Sequence, residues 1–233
     1  MPKMPNPSRP SIVASRSRPN PTAPLAGLKP MVCDRNDRRV RIVTLKPQQV
    51  DAKIADFLTE PDVMEGWNAP RRSMDLNAFR AYVASYDCIR RHLLAIRTMA
   101  DDRAVGLLIL NVDHRHKTGA WHLCIGNGGD RGRRVVFPAA ELLVRHAFED
   151  HGLEKLGFEI LARNATAIAI AEKYDLTLEA VLRSHRIDAV TGDRLDERVY
   201  GMTADEYRTA RTAREQVGRL RPFEGPGLVR SVH

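Results

Sequence analysis

The chain has 233 residues, 43% of them hydrophobic, and a formal net charge of +8. That length can bury one core, and no window approaches the roughly 20 apolar residues that cross a bilayer, so a soluble, cytoplasmic protein is expected and a membrane partner is not. Three cysteines (Cys33, Cys88, Cys124) are an odd number without ligand spacing, so reduced thiols are expected, with neither a disulfide framework nor a metal site.

Eight of the 14 prolines lie before residue 38, among Ser and Arg. Such a stretch cannot bury enough apolar surface to offset chain entropy, so residues 1–37 read as a disordered tail without the apolar core of a secretory signal. Met31 is an alternative start. Residues 38–221 read as one domain and 222–233 as a frayed end.

Within the domain, Val40–Leu45 alternates as a strand, and Gln48–Leu58 places Val50, Ile54, Phe57 and Leu58 on one helical face. Thr59–Ser73, with two prolines and a glycine, reads as a loop. Ser73 is placed to cap a helix whose stripe is Leu76, Phe79, Tyr82 and Val83, with Arg80 toward solvent. Strands are expected at His92–Met99, Val105–Asp113 and Ala120–Ile125, followed by the glycine-rich loop Gly126–Gly132 and a helix ending near Asp150. After a strand at Lys155–Leu161, Asn164 caps a helix carrying Ala167, Ile168, Ala171 and Tyr174 at helical spacing. Leu178, Ala180 and Leu182 then alternate as a half-buried strand. Arg194–Met202 is the last strand, and Thr203 with Glu206 forms a capping box for a charged surface helix.

The stretch Leu161–His185 resembles the signature of the GNAT superfamily of acyl-CoA N-acyltransferases. The branch it is most similar to contains ribosomal-protein alanine acetyltransferases and spermidine acetyltransferases. There an Asn precedes a small-residue helix, an Ala-Glu-Lys-x-Gly-Phe-like turn and a Leu-Glu-x-x-Leu-Arg-x-His strand. The resemblance covers roughly residues 39–207. It implies an α/β fold with a mixed, mostly antiparallel sheet flanked by helices and splayed between its fourth and fifth strands. It implies acetyl-CoA as co-substrate, no metal, and acetylation of a primary amine: a protein N-terminus, an amino sugar, a polyamine or another small amine. A second copy of the chain, as in a homodimer, is a further expected partner. Two other classes stay open: a silent GNAT fold that binds a ligand or partner, and a nucleic-acid- or ribosome-associated protein, which rests on the positive charge alone.

The same resemblance implies site residues. The fourth-strand stretch Leu123, Cys124 and Ile125 would lie along CoA, as would Asn164. The family's Arg/Gln-x-x-Gly-x-Gly/Ala phosphate loop falls on Gly129–Arg134, where only Gly132 matches. Arg131, Arg133 and Arg134 can replace the lost backbone contacts through guanidinium groups, or they are simply solvated. Pro138 delays the expected helix start by one turn. The family's base, a Glu, is replaced by Ala120, and its Ser and Tyr donors by Ala167 and Ala171. The nearest base is His122, on the face of Ala120 and Cys124 because strand side chains alternate. Tyr174 is the candidate proton donor, and His114 and His116 read as surface residues. Glu60, Asp62, Glu65 and Trp67 offer acids and an aromatic face to an ammonium group, and His185 and Asp196, which match polar positions in the family's last strands, are the other acceptor-side candidates.

Overall fold

The computed structural model describes residues 27–57, 60–68, 75–126, 128–130, 135–174 and 176–220. Eight strands form one sheet: β1 (Asp34–Asn36), β2 (Val40–Thr44), β3 (Arg91–Thr98), β4 (Ala104–Asp113), β5 (Thr118–Ile125), β6 (Lys155–Leu161), β7 (Thr177–Ile187) and β8 (Arg194–Thr203). Their order across the sheet is β1-β2-β3-β4-β5-β6-β8-β7, and every pair is antiparallel except β5–β6.

Alternation along β3 and β4 explains why helices cover both faces. Leu94, Ile96, Leu108 and Leu110 pack with Ala139, Leu143 and Ala147 from helix α4 (Val136–Arg145) and the turn after it. The intervening Leu93, Ala95, Leu107 and Ile109 pack with Ile54 of α1 (Ala52–Asp56) and with Phe79 and Val83 of α3 (Leu76–Ala84). Period two in the strands and 3.6 in the helices thus build two apolar layers. Asn164 caps α5 (Ala165–Lys173) by accepting from the Ala167 N–H at 3.0 Å. The Thr203–Glu206 capping box opens α6 (Ala204–Leu220) as expected.

Several expectations change. Ordered pairing begins at β1, before residue 38: Cys33 is buried, and its N–H donates to the Thr44 hydroxyl at 2.8 Å. The added strand makes the splayed pair β5 and β6 here. The helix expected over Gln48–Leu58 breaks, because Asp51 accepts from the Ile54 N–H and restarts the chain after a 3₁₀ turn at Pro47–Gln49. The expected loop Thr59–Ser73 contains α2 (Pro61–Gly66), with proline at the first helical position, where no N–H is needed. Asp75 caps α3, while Ser73 lies outside the described residues. Arg80 turns inward and donates to the Val50 carbonyl at 3.2 Å. α4 starts at Val136 rather than Pro138, which stands third in the helix, still within the turn that lacks intrahelical N–H partners. β7 is an edge strand and largely exposed; Leu178 and Val181 face solvent.

Candidate active site

The β5–β6 ladder consists of three pairs, Thr118↔Lys155, Gly119↔Leu156 and Ala120↔Gly157. Beyond them β5 pairs with β4 and β6 with β8, and the two strands separate. The Trp121 and Phe158 rings stack there at 4.6 Å, a wedge of two aromatic side chains where the backbone ladder ends. Trp121, Leu123 and Ile125 face α4. Alternation turns Ala120, His122 and Cys124 to the other face, where Cys124 packs among α1 and α3 residues.

His122 is therefore one of the first residues beyond the end of the ladder. Burial lowers its pKa below the ordinary imidazole value, opposed by the negative charge of Glu159 and Glu197 and assisted by the positive charge of Arg186. At neutral pH its ring is uncharged and can accept a proton. Around it the chain has built a charged group that sequence reasoning missed. Arg186 donates to Glu197 and to Glu159, each at 2.9 Å, and Glu197 is buried. His185 approaches Glu197 at 3.6 Å. Two successive residues reach one carboxylate because β7 bulges between Leu182 and Arg186, with Ser184 in the left-handed region at φ 49°. Asp196, the acid expected on the acceptor side, instead accepts from the Ser184 N–H at 2.7 Å and holds that bulge. The signal for Glu159 and Glu197 was an acidic residue in the middle of each of the strands expected at Lys155–Leu161 and Arg194–Met202.

The expected acceptor loop joins the same region. Asn68, next to Trp67, adopts φ 52°, donates to the Ile187 carbonyl at 2.7 Å and accepts from the Ala189 N–H at 2.9 Å. Arg163 donates to the Glu65 carbonyl at 3.1 Å and pairs with buried Asp188. These contacts latch α2 to the β7–β8 turn. Glu65 is exposed, whereas Trp67 is half-buried with its indole N–H unpartnered.

Other candidates fall elsewhere. Tyr174 packs its ring 5.2 Å from Phe137 and donates to the Phe137 carbonyl at 3.2 Å. It lines a cavity of about 300 Å³ with Trp121, Phe158 and Tyr207, on the face of β5 opposite His122. The structure therefore does not bring Tyr174 to His122, because its hydroxyl is engaged in tying α5 to α4. Arg131, Gly132, Arg133 and Arg134 lie outside the described residues. Just before them, Asp130 is gripped by Arg103 through two bonds of 2.6 and 2.9 Å, which fixes the loop to the β3–β4 turn. Asn164 sits close to α2: a Cβ added at Gly66 would lie 3.7 Å from its Nδ2.

The sequence model of the acetyltransferase (GNAT) domain matches residues 39–177, more than half of the chain. The chain belongs to the GNAT acetyltransferase family. No curated protein sequence matches it. Among solved structures, a GCN5-related N-acetyltransferase from Brucella melitensis is similar with a TM-score of 0.67 at 17% identity, covering 81% of this chain and 86% of that one. A GNAT acetyltransferase from Bacillus anthracis gives 0.64 at 13% identity over 75% and 100%. Spermidine N-acetyltransferase from Vibrio cholerae, in complex with CoA and spermine, gives 0.66 at 13% over 74% and 99%. These likenesses establish the GNAT fold, including the mostly antiparallel sheet and its parallel β5–β6 pair.

Proposed function

We propose that this GNAT protein transfers an acetyl group from acetyl-CoA to a primary amine, with His122 as the base. The observation that carries the reading is the position of His122, uncharged and just past the end of the β5–β6 ladder, beside the acidic pair Glu159 and Glu197. Among the described residues no strand pairs with β5 beyond Ala120 on its β6 side, so its edge around Leu123, Cys124 and Ile125 fits an extended pantetheine arm. Acetyl-CoA supplies an activated acyl group as a thioester. The chain's own residues do the rest. Glu159, Glu197 and Glu65 attract the cationic form of the acceptor, and Trp67 offers it an aromatic face. His122 removes the proton that would otherwise block attack by the amine. That first proton passes on to solvent; as the new C–N bond forms and the C–S bond breaks, the nitrogen gives up a second proton, which the departing thiolate takes to become the CoA thiol. Arg131, Arg133 and Arg134 hold the phosphates, and Asn164 orients the arm at the start of α5.

A second reading is favoured by one observation: where the related enzymes carry Ser and Tyr donors, Ala171 is fully buried and Ala167 packs beside the same core. A GNAT fold that binds its ligand without turnover would look the same there. Amine-dependent thiol release from acetyl-CoA, measured with a polyamine, an amino sugar and an N-terminal peptide, separates the two. Turnover with one of these, lowered about 10²–10⁴-fold in His122→Gln, is the expected result. CoA binding without thiol release for any of the three would favour the silent fold.

A further inference from the structure

His92 and the pair His146 and His151, distant from it in sequence, converge on the α4 face of the sheet, away from the group just described. His92 lies on β3 in the alternation of Leu94 and Ile96, beneath the end of α4. There the helix widens into a π-turn, His146–Asp150, closed by the His151 N–H donating to the His146 carbonyl at 3.1 Å. In an α-helix, residues five apart point in divergent directions. The wider turn brings His146 and His151 onto one side, and such turns recur at functional sites. The ring centroids of His92 and His146 lie 4.6 and 4.7 Å from that of His151, each nearly perpendicular to it.

The hydrogen bonds define which nitrogen of each ring is free. His92 Nε2 is 3.1 Å from the Ile89 carbonyl, which can only accept, so this nitrogen carries the hydrogen and Nδ1 keeps its lone pair. His146 Nδ1 is 2.6 Å from an Asp150 oxygen, and Arg35 donates to both oxygens of that carboxylate, so it accepts from Nδ1 and His146 Nε2 keeps its lone pair. Those two atoms and both ring nitrogens of His151 are buried without any hydrogen-bond partner. His92 is wholly buried and His146 is 1% exposed. Unpartnered polar atoms of this kind are rare in protein interiors and call for an explanation. One donor atom from each ring lies within 4.8 Å of the others.

We propose that His92, His146 and His151 form a binding site for one divalent transition-metal ion of the zinc class. Three neutral imidazoles suit such an ion and not a hard, oxygen-seeking cation. Zn–N bonds of about 2.0–2.1 Å in a tetrahedron place nitrogens roughly 3.4 Å apart, so small ring rotations close the cluster on an ion. The supporting contacts are in place: Asp150 backs His146 and the Ile89 carbonyl backs His92, the arrangement that orients metal-binding imidazoles. The fourth position falls to solvent on the side bordered by His114, whose Nε2 donates to the same Ile89 carbonyl at 2.8 Å and whose ring centroid is 6.4 Å from that of His151. The ion would pin the π-turn to the start of β3.

The test uses the full chain after dialysis against a chelator. Zn²⁺ titrated calorimetrically should bind one equivalent, Co²⁺ should give the intense visible absorption of a tetrahedral nitrogen site, and saturating Zn²⁺ should raise the Tm. His151→Gln and His92→Gln should each weaken Zn²⁺ binding at least 100-fold and abolish the rise in Tm, while His116→Gln, on the exposed turn, should behave as the parent. Circular dichroism of the metal-free variants establishes that they fold. If His92→Gln does not, His151→Gln, at the half-buried edge of the cluster, decides. A parent that binds no stoichiometric Zn²⁺, or folded variants that bind it as the parent does, would overturn the proposal.

Discussion

Replacing Arg163 by Met tests whether the latch between α2 and the β7–β8 turn organises the acceptor side. Asp188 is 3% exposed, and its carboxylate meets three donors: the Arg163 guanidinium and the N–H groups of Val190 at 2.8 Å and Thr191 at 3.1 Å. Methionine keeps the bulk of the arginine stem but leaves the buried carboxylate without its cation. Breaking a buried ion pair from one side costs about 3–5 kcal/mol. The two N–H bonds persist and continue to solvate the charge, so the expected loss is about 2–3 kcal/mol. For a chain of this size that corresponds to a fall in Tm of about 4–12 °C. The double variant Arg163→Met/Asp188→Asn should recover part of the loss, since it removes the stranded charge along with its partner. Because Arg163 also donates to the Glu65 carbonyl, KM for the amine should rise while affinity for CoA stays near that of the parent. Thermal melts and steady-state kinetics measure both. A Tm within about 2 °C of the parent, with unchanged KM, would show that the pair contributes nothing to the latch.

Other outcomes follow from the same geometry. His122 has its pKa lowered by burial, and its neutral form is the base, so kcat/KM should hold steady down to pH values below the ordinary imidazole pKa and fall only under that point; a profile breaking above it would remove His122 as the base. Arg103→Ala frees Asp130 and with it the approach to Arg131–Arg134, so CoA affinity should fall several-fold with little change in Tm, because Arg103 is exposed and neither partner is fully buried; equal CoA affinity would detach this clamp from the phosphate loop. Deleting residues 1–26 should leave the Tm unchanged, whereas deleting 1–36 removes β1 and the buried Cys33 and should lower it by several degrees; equal melting of both truncations would show that β1 adds no stability.

Local signals carried much of the fold. Asn164 at its helix start, the Thr203–Glu206 capping box and the strand Lys155–Leu161 each depend on residues a few positions apart, and each appears where it was expected. The boundaries that moved did so through competing local chemistry: Asp51 seized the Ile54 N–H, and Pro61 opened a helix inside a stretch that proline and glycine marked as loop. The site was legible where alternation decides it, which put His122 on the Ala120 face. It was not legible where register decides it. The approach of His185 and Arg186 to Glu197 depends on a bulge, and a bulge shifts every later side chain by one position. The histidine cluster was invisible for a further reason: its members come from β3 and a π-turn, with a spacing that corresponds to no ligand motif.

If this GNAT protein acts as proposed, it holds an acyl-CoA thioester at the point where β5 and β6 part. Calorimetric titration of the full chain with acetyl-CoA tests it most directly, before any acceptor is known. One molecule should bind per chain, with affinity that falls as salt rises and falls further when Arg131, Arg133 and Arg134 are all changed to Ala. No binding by the parent at millimolar acetyl-CoA would contradict it.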